Sequence, residues 1–406
     1  MRTFQFVLLY VIPFIGGAQD QIFQKELLWE ISHPNSSIKS YIFGTLHENN
    51  RALFQLSDST YIAFDKAKKI VLETDIYSLF SWMDTRKELP QTRFDNDGNY
   101  FSNRLLGSKT LYGNEDGMPQ FLDAYFQILA FHLNKPTIAL EDVEDQYALS
   151  DQFNLTERKI LNNQINSFTQ EKLLELYLKG DIEALHRFMK SYLNLQEDLY
   201  EQVIVNRNYL MCDSLIALLK INESFFCAVG AGHLGGEEGI LQLLRHKGFR
   251  VRPVQWKIST ETSLSKSHLN ESTEYIFKDL PSGLIAKFPA KPLFEQLPDS
   301  TSRIIYRELG QGNTFEILIY PYDQNSSREE IASIYINPPQ GGKIIKRYQD
   351  DGTVVFQGLS DTYPEGLNMV QIQFSNNNFA VIKCYGGHKF MHSKRPTTFF
   401  EKVWFE

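Results

Sequence analysis

Two histidines follow apolar runs in the same local setting. Gly44-Thr45-Leu46-His47 continues from Tyr41-Ile42-Phe43, and Gly230-Ala231-Gly232-His233 continues from Ala228-Val229. A glycine at the end of a strand lets the backbone turn sharply or approach a ligand closely, and the histidine three positions on can then be presented to a crevice. Imidazole is a common transition-metal ligand and titrates near neutral pH. A single histidine in such a place reads as a turn or capping residue; the repetition makes a shared site the sharper reading. Two further apolar runs close on a carboxylate, Ile70-Val71-Leu72-Glu73 and Ile138-Ala139-Leu140-Glu141. A glutamate at the end of a buried strand needs a partner, an ion or exposure at the sheet edge. Together His47, His233, Glu73 and Glu141 would suit a divalent transition metal (zinc, manganese, cobalt or iron) and leave room for a bound water. Arg207, in Asn206-Arg207-Asn208 on a long helical stretch, reads equally well as a surface salt bridge or as the holder of an anionic group. His132 and His186 sit among apolar helical residues and read as structural, as does His388.

The elements that must position these residues follow from hydrophobic periodicity. From about Leu27 to Gln255, short apolar runs alternate with helical stretches, the signature of an α/β layer structure, in which ligands collect beyond the carboxyl ends of strands. The strand runs are Leu28–Ile31, Ser40–Gly44, Lys69–Glu73, Thr137–Glu141, Phe225–Val229 and Arg250–Val254. The helical ones are Ser57–Lys68, Pro119–Asn134, Glu171–Lys179, Ile182–Asn194, Glu197–Lys220 and Gly236–His246. The last is expected to carry Glu237 and Glu238 in its first turn and to stop at Gly248. The polar stretch Ser259–Ser272 reads as a linker. Beyond it, alternating runs at Ile285–Phe288, Ser302–Glu308, Phe315–Pro321, Lys343–Tyr348, Val354–Gly358, Met369–Phe374 and Phe379–Tyr385 predict an antiparallel α+β region. Helical patterns follow Ser327 and Pro396. The expected organisation is a signal peptide over 1–18, an α/β domain over 19–256, a linker over 257–274 and an α+β domain over 275–406.

A chain of 406 residues exceeds what one core usually covers. Its net charge of -8 excludes nucleic acid as a partner, since such binders need a basic face. Only Cys212, Cys227 and Cys384 are present, too few for a disulfide framework, and Cys212 and Cys227 read as small buried hydrophobes. The apolar run Phe4–Ile15 before Gly16-Gly17-Ala18-Gln19 reads as a secretory signal cleaved near Ala18-Gln19, too short for a stable membrane anchor. The expected location is secreted or periplasmic.

Gly44-Thr45-Leu46-His47, Val71-Leu72-Glu73-Thr74-Asp75, the run from Ile138 to Gln146, Arg207-Asn208 and the run from Val229 to Ile240 come in the order and spacing of successive signatures of the TraB/GumN family. The resemblance covers about residues 25–255. It departs at Glu48, where a small or apolar residue is expected. The family includes the Tiki proteins, described as metal-dependent proteases, and bacterial pheromone-shutdown proteins, and is related in fold to erythromycin esterases and haem-binding ChaN proteins. The resemblance therefore implies an erythromycin-esterase/ChaN-like sheet with helices on its faces. It implies His47 and His233 as metal ligands with Glu73 and Glu141 as carboxylates, one a ligand and one a general base, and Arg207 as the family arginine of the catalytic set. The function expected is a secreted metal-dependent hydrolase, plausibly a peptidase, acting on a peptide or small molecule. The alternative is a non-catalytic binder of a peptide, haem or other ligand in the same crevice, with the C-terminal domain open to a protein partner.

Overall fold

A computed structural model describes residues 26–48, 50–80, 109–110, 113–114, 121–144, 163–194, 198–221, 223–255, 257, 274–298, 301–338, 343–348, 354–362 and 366–406. The expected signal peptide and nearly all of the expected linker lie outside these residues.

The N-terminal part is built on a six-stranded sheet. Its strands are β1 (Leu28–Ser32), β2 (Lys39–Thr45), β3 (Lys69–Leu72), β6 (Thr137–Ala139), β7 (Phe225–Gly230) and β8 (Arg250–Pro253); β4 (Lys109–Thr110) and β5 (Gly113–Asn114) form a separate short ribbon. The spatial order is β6-β3-β7-β2-β1-β8. The first four of these run parallel, and β1 and β8 extend the sheet antiparallel. All six strand runs read from the sequence are strands here. Phe225 to Val229 is buried throughout, which is why it reads as an unbroken apolar run, as expected of a central parallel strand.

The helices are α1 (Asp58–Lys66), α2 (Leu122–His132), α3 (Asn163–Lys179), α4 (Ile182–Leu193), α5 (Asn206–Lys220) and α6 (Ile240–His246). Ser57 caps α1 by accepting from Thr60 N–H, and Asp181 caps α4 through Ala184 N–H, each supplying an acceptor for an otherwise unsatisfied first-turn donor. Phe126 of α2 packs against Phe43 of β2, Phe64 of α1 and Phe226 of β7, with ring centroids 5.0–5.8 Å apart, which locks α1 and α2 onto the sheet. The expected helix from Gly236 begins only at Ile240, so Glu237 and Glu238 lie in the loop before it. Gly236 has φ of +84°, outside the right-handed helical range, so the segment turns there, and only glycine fits because a Cβ would meet the His186 ring.

The C-terminal part carries a seven-stranded antiparallel sheet in the order β11-β12-β13-β17-β16-β15-β14 and a three-stranded one in the order β18-β10-β9. Their strands are β9 (Tyr275–Asp279), β10 (Leu284–Phe288), β11 (Leu293–Gln296), β12 (Ser302–Arg307), β13 (Thr314–Pro321), β14 (Ile345–Tyr348), β15 (Val354–Thr362), β16 (Gly366–Phe374), β17 (Asn378–Tyr385) and β18 (Val403–Phe405). Three helices, α7 (Arg328–Tyr335), α8 (His388–Met391) and α9 (Arg395–Phe400), complete it. The chain is thus mixed α/β at its N-terminal end and antiparallel and strand-rich at its C-terminal end. β9, β11 and β18 are strands that hydrophobic patterning does not reveal, and the pattern after Pro396 is a short helix followed by β18.

The two parts share a hydrophobic cluster. Ile76, Tyr77 and Phe80, in the helical turn just beyond β3, and Ala124 of α2 are buried with Ile304, Tyr306, Phe315 and Ile382 of the C-terminal sheet. The Tyr77 hydroxyl accepts from Arg307 N–H at 2.7 Å. α2 is therefore clasped on both sides, since Leu122, Phe126, Leu129 and Ala130 belong to the N-terminal core. Among the described residues, no helix is long and apolar enough to cross a membrane. All three cysteines are buried free thiols.

Candidate metal-binding crevice

Because β6, β3, β7 and β2 are adjacent and parallel, their carboxyl ends open on one edge of the sheet. His47, Glu73, Glu141 and His233 all lie within three residues of those ends. Backbone bonds carry the ladder into the site, with Glu73 N–H donating to Ala228 O and Glu141 N–H to Glu73 O, both at 3.0 Å. The first tetrad's glycine has a packing role. A Cβ on Gly44 would stand 2.9 Å from a Leu234 methyl and 3.1 Å from Ala231 Cα, so only glycine lets β2 lie against the turn that carries His233.

Arg207 is the centre of the carboxylate network. It follows a single π-turn, Glu201–Val205, and such turns are frequent at functional sites. Its Nε and Nη2 donate to the two Glu141 oxygens at 2.8 and 2.6 Å, Nη2 also bonds Glu73 Oε1, and Nη1 donates to Val203 O at 3.1 Å. With its side chain only 11% exposed, this is a buried guanidinium between two carboxylates and not a surface pair. Glu73 Oε2 accepts from Gly230 N–H at 2.9 Å. Burial alone would raise the Glu73 pKa, but the charges of Arg207, His233 and His47 together with the Gly230 N–H hold it well below the usual carboxylate range. Burial likewise opposes the guanidinium charge of Arg207, and the two glutamates more than offset it.

The two histidines are held differently. His233 is buried, and its Nδ1 lies 2.7 Å from Asn208 Oδ1. Asn208 Nδ2 donates to Glu238 O at 2.7 Å, which fixes the amide orientation and makes His233 Nδ1 the protonated nitrogen. Nε2 then carries the free lone pair, 3.9 Å from Glu73 Oε1. Burial lowers the His233 pKa, Glu73 opposes, and Arg207 and His47 add to the fall, leaving it at about 4. His47, by contrast, is half exposed, with its Nε2 3.1 Å from Oδ2 of the buried Asp123 and its ring tilted against Phe121. Desolvation pulls its pKa down, but the Asp123 carboxylate outweighs that and raises it to about 9. Asp123 Oδ1 accepts from Thr45 Oγ1 at 3.0 Å.

The structure thus joins Glu73, Glu141, Arg207 and His233 in one contact network. His47 borders it through charge while touching Asp123. Asp123 and Asn208 are not among the residues that sequence reasoning assigned to the site. Their signal was present but weak: Asp123 is a carboxylate inside the helical run around Phe121 to Phe126, and Asn208 adjoins Arg207.

The atom here suited to a borderline divalent ion is His233 Nε2, since the imidazole is neutral and its other nitrogen is fixed. Glu73 Oε1 lies 3.9 Å from it and is bonded by Arg207, whereas two ligands at about 2.1 Å from one ion stand roughly 3–3.5 Å apart. Among the described residues, no three His, Cys, Asp or Glu side chains are grouped to hold an ion. Arg207 engages both glutamates and Asp123 faces one nitrogen of His47.

Comparison with known proteins agrees with the motifs. Metalloprotease TIKI2 of Danio rerio is 24% identical, over 55% of this chain and 60% of its own length. Metalloprotease TIKI2 of Xenopus tropicalis is 30% identical, over 33% of this chain and 32% of its own. The chain therefore spans less than two thirds of the curated relatives it matches. A solved cyanobacterial PsbP from Synechocystis covers 33% of this chain at 9% identity with a TM-score of 0.27, too slight a likeness for argument. The model of the TraB/PrgY/gumN family matches residues 27–111 and 101–253, over half of the sequence and the whole of the sheet that carries the crevice, so the chain belongs to the TraB/PrgY/gumN family.

Proposed function

We propose that this protein is a secreted metal-dependent hydrolase acting on peptide bonds, with its centre at the carboxyl ends of β2, β3, β6 and β7. The observation that carries the reading is the convergence of Glu73, Glu141, Arg207 and a neutral, tautomer-fixed His233 at one sheet edge. The names of the matching relatives support the reaction class. His47, His233 and Glu73 would hold a divalent transition ion, which supplies Lewis acidity toward a substrate carbonyl when bound. Glu73 is assigned to the ion because it is the glutamate beside an imidazole. Glu141 is assigned to accept the proton of the attacking water, with Arg207 fixing the position of its carboxylate. Arg207 also offsets the mutual repulsion of the two carboxylates.

One observation favours a second reading, a binding protein without turnover: the guanidinium engages both glutamates, so neither is committed to an ion. Incubating the purified protein with a peptide library, with and without added zinc, manganese or cobalt and then with a chelator, separates the two. Cleavage that depends on metal and is lost in Glu141→Gln supports the hydrolase. Metal uptake with no cleavage of any peptide supports the binder.

A further inference from the structure

Charge is spread unevenly along this chain. The net charge is -8, yet from Gly366 to Phe400 there is no aspartate or glutamate, while Lys383, Lys389, Lys394 and Arg395 fall in that stretch. Lys394 and Arg395, at the start of α9, line a cavity of about 430 Å³ in the C-terminal part. Lys287 reaches it from β10, Phe315 from β13, Phe399 from α9 and Lys402 from the turn before β18. Lys287 N–H donates to Lys402 O at 3.0 Å, which sets these two lysines opposite each other at the cavity.

The rim and the floor of the cavity differ in chemistry. Phe315 and Phe399 are each 3% exposed, with ring centroids 4.8 Å apart, and close its inner end with apolar surface. Around them the lining holds four cations, Lys287, Lys394, Arg395 and Lys402, against one carboxylate, Glu274, which pairs with Lys402 at 2.5 Å. Arg395 is fixed by Glu308 and by donating to Gln311 Oε1 at 2.7 Å, and its guanidinium stands 5.9 Å from the Phe315 ring centroid. Among the described residues, no carboxylate pairs with Lys287 or Lys394. Like charges gathered around one cavity repel each other, and an anion seated there relieves that cost. A cavity of about 300–1,000 Å³ that joins apolar walls to a few directed polar groups is the form of a small-molecule site.

We infer that this cavity binds a small organic anion, with its carboxylate or phosphate group held by Lys287, Lys394 and Arg395 and its apolar body against Phe315 and Phe399. The site shares no residue with the strand-end crevice and stands whether or not the hydrolase reading does. Ammonium and guanidinium groups donate to either head group, so the rim selects for negative charge. The floor selects for the body, since a bare inorganic ion would leave the phenyl surfaces uncovered.

The test titrates phenyl phosphate and phenylacetate into the full chain by isothermal calorimetry, with inorganic phosphate as the head group alone and benzyl alcohol as the neutral body alone. Lys287→Gln, Lys394→Gln and the double variant remove rim charges that no described carboxylate balances, and thermal unfolding confirms that each is folded. Lys220→Gln, on α5, removes a lysine far along the chain from the cavity. The expected result is one site per chain for at least one of the organic anions, tighter than for inorganic phosphate, and no binding of benzyl alcohol. Affinity is expected to fall about 3–10-fold in each single variant, further in the double variant, and not in Lys220→Gln. Failure of both organic anions to bind at millimolar concentration, equal affinity for inorganic phosphate, or undiminished binding by the folded double variant overturns the inference. A loss in Lys220→Gln as large as that in Lys394→Gln overturns it as well, because it would mark a diffuse attraction to charge.

Discussion

Among the described residues, two arginines each lie between two glutamates, and only one of them stands at the strand ends where we propose a site. Arg207 joins Glu73 and Glu141, which come from positions 134 and 66 residues away and stand at the ends of different parallel strands. Arg303 joins Glu316 and Glu295, 13 and 8 residues away, on the neighbouring antiparallel strands β13 and β11. The second triad is a cross-strand contact of the kind that stabilises any sheet. The first gathers charge at strand ends, where backbone pairing stops, and adds a neutral imidazole. Similar residue types therefore carry different meanings according to whether the fold or the sequence brings them together.

The largest effect that sharpens this contrast is expected for Arg207→Met, which leaves two buried carboxylates unbalanced and should destabilise the protein by about 3–5 kcal/mol. Arg303→Met should cost less, because Glu295 is 34% exposed and screened by solvent, and the buried Glu316 keeps the Tyr385 hydroxyl and the charge of Lys383. Chemical denaturation of both variants measures the difference, and equal losses would remove the distinction. Asn208→Ala should come next, at about 1–3 kcal/mol, because it strips a partner from buried His233 Nδ1 and from Glu238 O. Tyr77→Phe should be smaller, about 1 kcal/mol, since it deletes the hydroxyl that receives Arg307 N–H but keeps the ring in the shared cluster. A null effect there would mean that the two parts are joined by apolar packing alone.

The two histidines should also give pH slopes of opposite sign. His233 has a folded pKa of about 4, below its ordinary 6.5, so its contribution is fully present above 6.5 and lost as pH falls toward 4. The depressed Glu73 pKa acts in the same direction below the ordinary carboxylate range. His47, raised to about 9, contributes below 6.5 and loses that contribution as pH rises through 9. Denaturation at acid, neutral and alkaline pH should show His233→Ala flattening the acid limb and His47→Ala the alkaline one. Both variants flattening the same limb would refute the different environments of the two rings.

The strands bearing the site were legible because β2, β3 and β7 are largely buried, and β6, though a half-exposed edge strand, still carries the apolar run Ile138-Ala139-Leu140, so each reads as an apolar run ending in a polar residue. The four strand-end side chains were legible for the same reason. Asp123 was not, because its partner lies 78 residues away at Thr45, and nothing in a helical pattern marks one buried carboxylate as contacting a strand end. The loop before α6 reads as helix because its acidic residues mimic a helix start, while the positive φ of Gly236 and the His186 ring beside it are set by the tertiary fold. β9, β11 and β18 stayed hidden because they alternate exposed and half-buried residues or are only three residues long. The reading of Cys212 and Cys227 as buried hydrophobes agrees with the structure, since apolar surroundings alone determine it.

The central claim is that the strand-end crevice, through His233, holds one divalent transition ion per chain. Isothermal titration of zinc into the metal-free protein and into His233→Ala, with the thermal unfolding of each followed in parallel, tests it most directly. The account predicts one ion per chain for the native sequence and no specific uptake in His233→Ala, with both forms folded. Undiminished stoichiometric binding by a folded His233→Ala variant would contradict it.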